Sequence, residues 1–385
     1  MKIKKIVLIC ALLLTFISCN LNSSDPFEAK NTIKEFSHLK DPEVMVQKII
    51  HTTDFLGIRV STKITGSVFM VIDFENHEVF DWIFVPKLYG ADCAYGCKVQ
   101  LDSGKTVYCA SMSDTGTLVV LDPSKTTLEY IKTGLKDIGY ICHTQSPKGV
   151  VFMDMEVKGE DPTITFGMGV KFTSYDLNKK SINKDIKVIT TRKESFPYKV
   201  FSNGDLLFPR YTSKKTDFYR VSNENKIIYS CEGTNEKYGL VYPSLVPCGI
   251  IDEKIYVSET QLDYKNDKLL ILEKNSQNDY VISKEILMSS DYPDYNFGTV
   301  FKMNEKFYSL IYVPNVIGLK KLFTELDIVN GKVTSVNDFF GDNSIKGDFF
   351  VRGTRIYFLN YSDDLIFSYY DFSDQTSNTI TVPKL

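Results

Sequence analysis

The feature that most constrains the fold of this 385-residue chain is a pattern that recurs about every fifty residues. An alternating apolar segment ends at an acidic or small polar residue, a polar turn follows, and a second apolar segment closes the unit. The copies begin with VFMVIDFENHEVFDWIFV, TLVVLDPSKTTLEYI and VKFTSYDLNKKSINKDIKVI. They continue through DFYRVSNENKIIYSC, KLLILEKNSQNDYVISKEIL, LFTELDIVNGKVTSV and IFSYYDFSDQTSNTITV. The marker residues are Asp73, Asp122, Asp176, Ser222, Glu273, Asp327 and Asp371. A second pattern keeps step with the first. From the second unit onward, a turn leads into a strand centred on an aromatic: Tyr108, Phe152, Phe208, Tyr256, Tyr308 and Tyr357. A further apolar segment precedes each of these turns. Each unit therefore holds four short strands separated by turn chemistry.

A four-stranded antiparallel unit repeated at this spacing is the pattern of a β-propeller blade. One such sheet cannot bury both faces alone, so the units must stack around an axis. The reading is all-β: one seven-bladed propeller of four-stranded antiparallel blades over 44–385, behind a short helical or irregular segment. The first unit is the least regular, with DFLGIRVSTKIT supplying its second strand by position. Pro209 falls in a strand read as central, which predicts a bulge or an imperfect blade there. Alanine is scarce, and the one segment with a helical look runs from about Phe27 to Ile50, interrupted at Pro42. A single tryptophan, Trp82, excludes quinoprotein-type repeats with one Trp per blade, and no Trp-Asp dipeptide of the WD40 kind occurs.

The N-terminus carries different information. MKIKK places Lys2, Lys4 and Lys5 before an apolar run from Ile6 to Ile17. That run is shorter than the about 20 residues a spanning helix needs, and matches the apolar region of a secretory signal. The tetrapeptide Phe16-Ile17-Ser18-Cys19 resembles a bacterial lipobox, with Phe16 where such motifs usually carry Leu. The resemblance implies a signal peptide over 1–18, acylation of Cys19 (palmitate among the chains), and a permanent membrane anchor, since two or more acyl chains hold stably. It places the protein in a bacterial cell envelope, without deciding the membrane or its face. Residues 19–43 then read as the lipidated N-terminus and a polar leash.

Formal charge is −3, with no basic stripe, so nucleic acid is not expected as a partner. Six cysteines follow Cys19: Cys93, Cys97, Cys109, Cys142, Cys231 and Cys248. In an exported chain they permit disulfides in many pairings, of which Cys93 with Cys97 is the best local choice because Gly96 lets the chain bend. The four histidines are dispersed, and no metal site and no cofactor are expected. No motif names a reaction and no catalytic residue is assigned. The marker aspartates read as turn formers that bond their own backbone.

The reading of function is a membrane-tethered envelope lipoprotein, a binding module for a protein or glycan. The alternatives are a propeller-fold hydrolase or lyase on polysaccharide, or a scaffold in an envelope assembly. The binding face is expected where the long loops gather. These include KLYGADCAYGC, EGTNEKYGLVYPS and SSDYPDYNFG, with Tyr89, Tyr95, Tyr238, Tyr242, Tyr292 and Tyr295 as candidate ligand contacts.

Overall fold

The computed structural model describes residues 30–55, 58–76, 78–86, 93–112, 115–135, 138–141, 149–158, 168–186, 199–211, 215–221, 225–232, 235–237, 240–242, 245–259, 267–313, 322–339, 349–361 and 365–381. Alternating apolar residues give strands throughout, and the strands form successive sheets along the chain. The first sheet has three, β1 (Pro42–Phe55), β2 (Ile58–Asp73) and β3 (Glu78–Pro86). The second has four, β4 (Cys93–Gln100), β5 (Thr106–Met112), β6 (Thr117–Leu121) and β7 (Glu129–Lys132). The third is β8 (Ile138–Ile141), β9 (Val150–Lys158), β10 (Met168–Asp176) and β11 (Ser181–Ile186). The fourth is β12 (Lys199–Val200), β13 (Leu206–Tyr211), β14 (Lys215–Val221) and β15 (Asn225–Glu232). A small hairpin follows, β16 (Asn235–Lys237) with β17 (Leu240–Tyr242).

Next come two antiparallel runs of four. They are β18 (Leu245–Ile251), β19 (Lys254–Glu259), β20 (Lys268–Lys274) and β21 (Tyr280–Leu287), then β22 (Asn296–Met303), β23 (Lys306–Tyr312), β24 (Leu322–Asp327) and β25 (Lys332–Asn337). A single parallel pair, Leu287 with Lys332, joins them into one eight-stranded sheet. The last sheet is β26 (Phe349–Arg352), β27 (Arg355–Tyr361), β28 (Leu365–Asp371) and β29 (Thr376–Thr381).

The core lies between sheets. Val44, Phe69 and Val71 of the first sheet pack on Tyr108, Ala110, Val119 and Leu121 of the second. Val99, Val107 and Leu118 of the second meet Tyr175 and Leu177 at the end of β10. Phe201, Leu207 and Phe218 meet Ile255, Val257 and Leu270, and Tyr256 and Ile271 meet Phe297, Val300 and Ile311. Met303, Tyr308 and Phe323 pack on Ile356 of the last sheet. The succession then returns to its start: Tyr357 is buried among Met45, Val68, Met70 and Phe84 of the first sheet. The Tyr357 and Phe74 rings lie 4.5 Å apart, and Arg352 pairs with Glu43 across the same boundary. These contacts between neighbouring sheets, and of the last sheet upon the first, belong to an all-β propeller-like fold.

Both repeated patterns have a physical role here. The recurring aromatics Tyr108, Phe208, Tyr256, Tyr308 and Tyr357 are all buried; Tyr108, Tyr308 and Tyr357 sit in clusters that bridge two sheets, and Tyr256 in one that joins the two four-stranded runs of the eight-stranded sheet. Phe152 lies outside the residues whose side chains are described. The marker aspartates accept backbone N–H bonds from the turns they open: Glu75 N–H to Asp73 (2.9 Å), Ser124 to Asp122 (2.9 Å), Asn178 to Asp176 (2.9 Å), Asn330 to Asp327 (2.9 Å) and Ser373 to Asp371 (2.9 Å). Ser222 lies outside the described residues.

Several expectations are corrected. The segment read as helical, 27–50, is not: from Pro42 it is β1, paired in register with β2. Val44 and Val46 fall on alternate positions of a half-buried strand, which pairing with a neighbour rewards more than a helix interrupted at Pro42 would. The leash expected over 19–43 is packed from Lys30 onward. Ile33 and Phe36 are buried, each worth about 1.5–3 kcal/mol. Ile33 and Phe36 donate backbone bonds to Thr126 and Pro123 in the second sheet's outer turn, and Phe84 of β3 donates to Lys30. This segment straps the first two sheets together. The first sheet has three strands among the described residues rather than four, and the peptide read as its second strand is divided between the end of β1 (Asp54 and Phe55) and the start of β2 (from Ile58), with 56–57 outside the described residues. Pro209 pairs with Phe218 without a bulge; the register shift falls one step on, between Phe218 and Tyr219 against β15. Among the described residues β12 flanks only Leu206 and Leu207, so Pro209 has no ladder partner there on that side, a position a strand proline tolerates.

Candidate functional site

Strand alternation gives each sheet two unlike edges. At one edge lie the short turns, braced by charge. Lys105 meets Asp122 at 2.6 Å, Arg355 pairs with Asp371, and Arg220 bridges Asp205 (2.7 Å) and Glu253 (3.3 Å) of neighbouring sheets. Lys105 lowers the Asp122 carboxyl despite burial, and the Ser373 hydroxyl and N–H, with Arg355, hold Asp371 well below the ordinary carboxylate range. At the other edge the described chain passes from one sheet or run of strands to the next, as between β21 and β22. The hairpin β16–β17 is built into one such link.

The link into β22 positions a buried polar group beneath this edge. Two successive turns, closed by Tyr292 N–H to Ser289 (2.9 Å) and Tyr295 N–H to Tyr292 (3.2 Å), bring the chain to Asn296. The Tyr292 and Tyr295 rings meet edge to face at 5.4 Å and rest, half-buried, on the cluster holding Cys248, Ile286 and Phe297. Asn296 is 3% exposed, and its side-chain oxygen has no hydrogen-bond partner among the described residues. Burying an unpaired acceptor costs about 1–3 kcal/mol, so a native structure keeps one only for a reason. Directly opposite in register stands Tyr312.

Asp267, at the entrance to β20, is 1% exposed. Its Oδ2 accepts from the Ser258 hydroxyl (2.7 Å) and from the Phe297 backbone N–H (2.7 Å), and its Oδ1 from the Lys268 N–H (3.0 Å). It thus ties the fifth group of strands to the sixth. Burial raises its pKa to about 7, against the opposing pull of those three donors. Cys248 lies alongside, its sulfur 3.3 Å from the Val246 carbonyl and 3.6 Å from that of Phe297. Burial pushes this thiol to about 12, so at neutral pH it is a thiol and not a nucleophilic thiolate. Tyr312 is raised to about 12 by burial and by its neighbours Cys248 and Asp267. Lys199, opening β12, is near Cys248, and burial lowers its ammonium pKa.

The arrangement therefore offers a carboxyl that titrates near neutrality, a lysine amine, a phenol and an amide oxygen without a partner among the described residues. Such a set can hydrogen-bond a polar ligand group. Among the described residues no group of three or more His, Cys, Asp or Glu is arranged to hold a metal ion.

Of the tyrosines named from sequence, Tyr292 and Tyr295 are brought together. Tyr95 lies in β4 and Tyr242 in β17, with side chains outside those described; Tyr89, Tyr238 and Cys19 lie outside the described residues altogether. Lys199, Asp267 and Asn296 carry no local sequence signal. Asp267 is defined by partners 9 and 30 positions away, which no short motif encodes. Cys93 and Cys97 cannot pair as the sequence favoured. Both lie in β4, where four residues of extended chain separate their Cα atoms by about 13 Å, beyond the reach of a disulfide.

No protein family and no curated protein matches this sequence. Solved structures do resemble it in shape. A puromycin hydrolase mutant complexed with PGG superposes with a TM-score of 0.51 at 11% identity, over 83% of this chain and 50% of that one. A putative 6-phosphogluconolactonase from Bacteroides fragilis gives 0.48 at 10% identity, over 89% and 96%. Dihydro-heme d1 dehydrogenase NirN in complex with DHE gives 0.45 at 11%, over 82% and 62%. The chain spans half of the hydrolase and under two thirds of NirN. At these identities the likeness is one of fold, and the fold is all-β and propeller-like.

Proposed function

We propose that this chain is a lipid-anchored protein of the bacterial cell envelope, with a seven-bladed propeller that binds a protein or glycan partner at its link edge. Dividing the eight-stranded sheet at its single parallel pair supports that count: it leaves two four-stranded groups beside the five other sheets of three or four strands, the hairpin β16–β17 set aside. The anchor rests on the lipobox resemblance at Cys19.

The observation that carries the binding reading is the character of the link edge. There an unpaired buried acceptor, Asn296, sits under an aromatic pair, Tyr292 and Tyr295, while the opposite edge is closed by short, charge-braced turns. Aromatic faces with polar tips suit sugar stacking and protein anchoring alike. The test is capture from detergent-solubilised envelopes, with a glycan array in parallel. Both use the purified chain and a variant with Tyr238, Tyr242, Tyr292 and Tyr295 changed to Ala. A partner held by the wild type and lost by the folded variant supports the reading; equal capture by both overturns it. Labelling with a palmitate analogue tests the anchor separately: the wild type should be marked and Cys19→Ala unmarked.

A further inference from the structure

Two cysteines far from the link-edge cluster face each other inside the second sheet. Cys97 of β4 and Cys109 of β5 are direct partners in an antiparallel ladder, and Val99 with Val107 is the next pair on the same face. All four side chains belong to one buried cluster with Leu118 and Val120. Cys109 is fully buried and Cys97 is 7% exposed. Residues directly opposite in an antiparallel pair have Cα atoms about 4.5–5.5 Å apart. That distance falls inside the window of about 4.4–6.8 Å that a disulfide requires. Here both are thiols, and the neighbouring Cys97 together with burial raises the Cys109 thiol.

We propose that Cys97 and Cys109 are joined by a disulfide in the mature protein. The oxidant is a disulfide, either of a protein or of a small thiol. One cysteine thiolate attacks a sulfur of the oxidant, releasing its partner as a thiol and leaving a mixed disulfide. The second thiolate then displaces the remaining half. The two cysteines lose two protons and two electrons, and the oxidant leaves as two thiols. Both sulfurs are sealed in the finished core, so exchange occurs while β4 and β5 pair and before the third sheet covers them. Once formed, the bond is shielded from reductants.

The experiment refolds the full chain in a mixture of oxidised and reduced glutathione, alkylates the remaining thiols, and maps the peptides. Protein extracted from its own cells is mapped in the same way. The expected result in both is a linked pair of peptides carrying Cys97 and Cys109, two hydrogens lighter than the reduced pair. Reductant should break it only after denaturant is added. The oxidised protein should also unfold at higher urea than the reduced one, and Cys97→Ser should leave Cys109 open to alkylation in denaturant. Free Cys97 and Cys109 in unreduced protein from either source, or a link from either to Cys93 or Cys142, overturns the proposal.

Discussion

Asp267 should make the protein less stable as pH rises from acid to neutral, the reverse of what Asp81, Asp122, Asp327 and Asp371 do. Its pKa is about 7 in the folded state, against about 3.9 for an unfolded aspartate. Between those values the folded chain holds a proton that the unfolded chain has released. Stability therefore falls as pH climbs through this window and levels off above about 7. Three pKa units at 1.36 kcal/mol each set the full change at about 4 kcal/mol. The residue is 1% exposed, so solvent does little to screen it. Asp267→Asn removes the titration. It keeps an oxygen for the Lys268 N–H, but sets an amide N–H₂ against the Phe297 N–H, leaving a buried donor unmet at about 1–3 kcal/mol. Urea unfolding of both proteins, from about pH 4 to 8.5, gives the difference directly. The wild type should be the more stable at about pH 4 and the variant at about pH 8, with the curves crossing between about pH 4.5 and 6. A difference that stays constant across the range would refute the placement of a neutral, desolvated carboxyl at this position.

Other perturbations test the ring and its acid limit. Arg352→Ala strands Glu43, which is 13% exposed at the boundary between the last and first sheets and whose pKa burial already raises. A loss of about 3 kcal/mol is expected by urea unfolding, partly restored by adding Glu43→Gln. Gly249→Ala would place a methyl 2.7 Å from the Val300 carbonyl oxygen, between β18 and β22, and should cost about 1–3 kcal/mol in the same assay. Asp81, Asp122, Asp327 and Asp371 all lie below their ordinary range in the folded state. Their contribution is complete above about pH 4 and is lost as pH falls, so acid unfolding should be cooperative below that point.

The repeat was legible in the sequence because its elements are local. A marker aspartate bonds the N–H groups two or three residues ahead, and alternating apolar residues form a strand whatever lies beyond. Strand content, turn positions and the phase of the buried aromatics could therefore be read directly. Packing decided what local pattern could not. Residues 30–41 read as a leash because they are mostly polar, yet Ile33 and Phe36 find a groove made by two sheets. Residues 42–50 read as helical until β2 offered them a ladder. Cys97 was matched with its neighbour in sequence, whereas the register sets it opposite Cys109. The cluster of Lys199, Cys248, Asp267, Asn296 and Tyr312 exists only because sheets stack, which removes water from groups more than a hundred residues apart. Desolvation raises the Asp267 carboxyl and leaves the Asn296 oxygen unpaired. The sequence by itself determined the strands and their repeat; the tertiary structure decided which polar groups were buried together, because burial belongs to the assembled sheets and to no single segment.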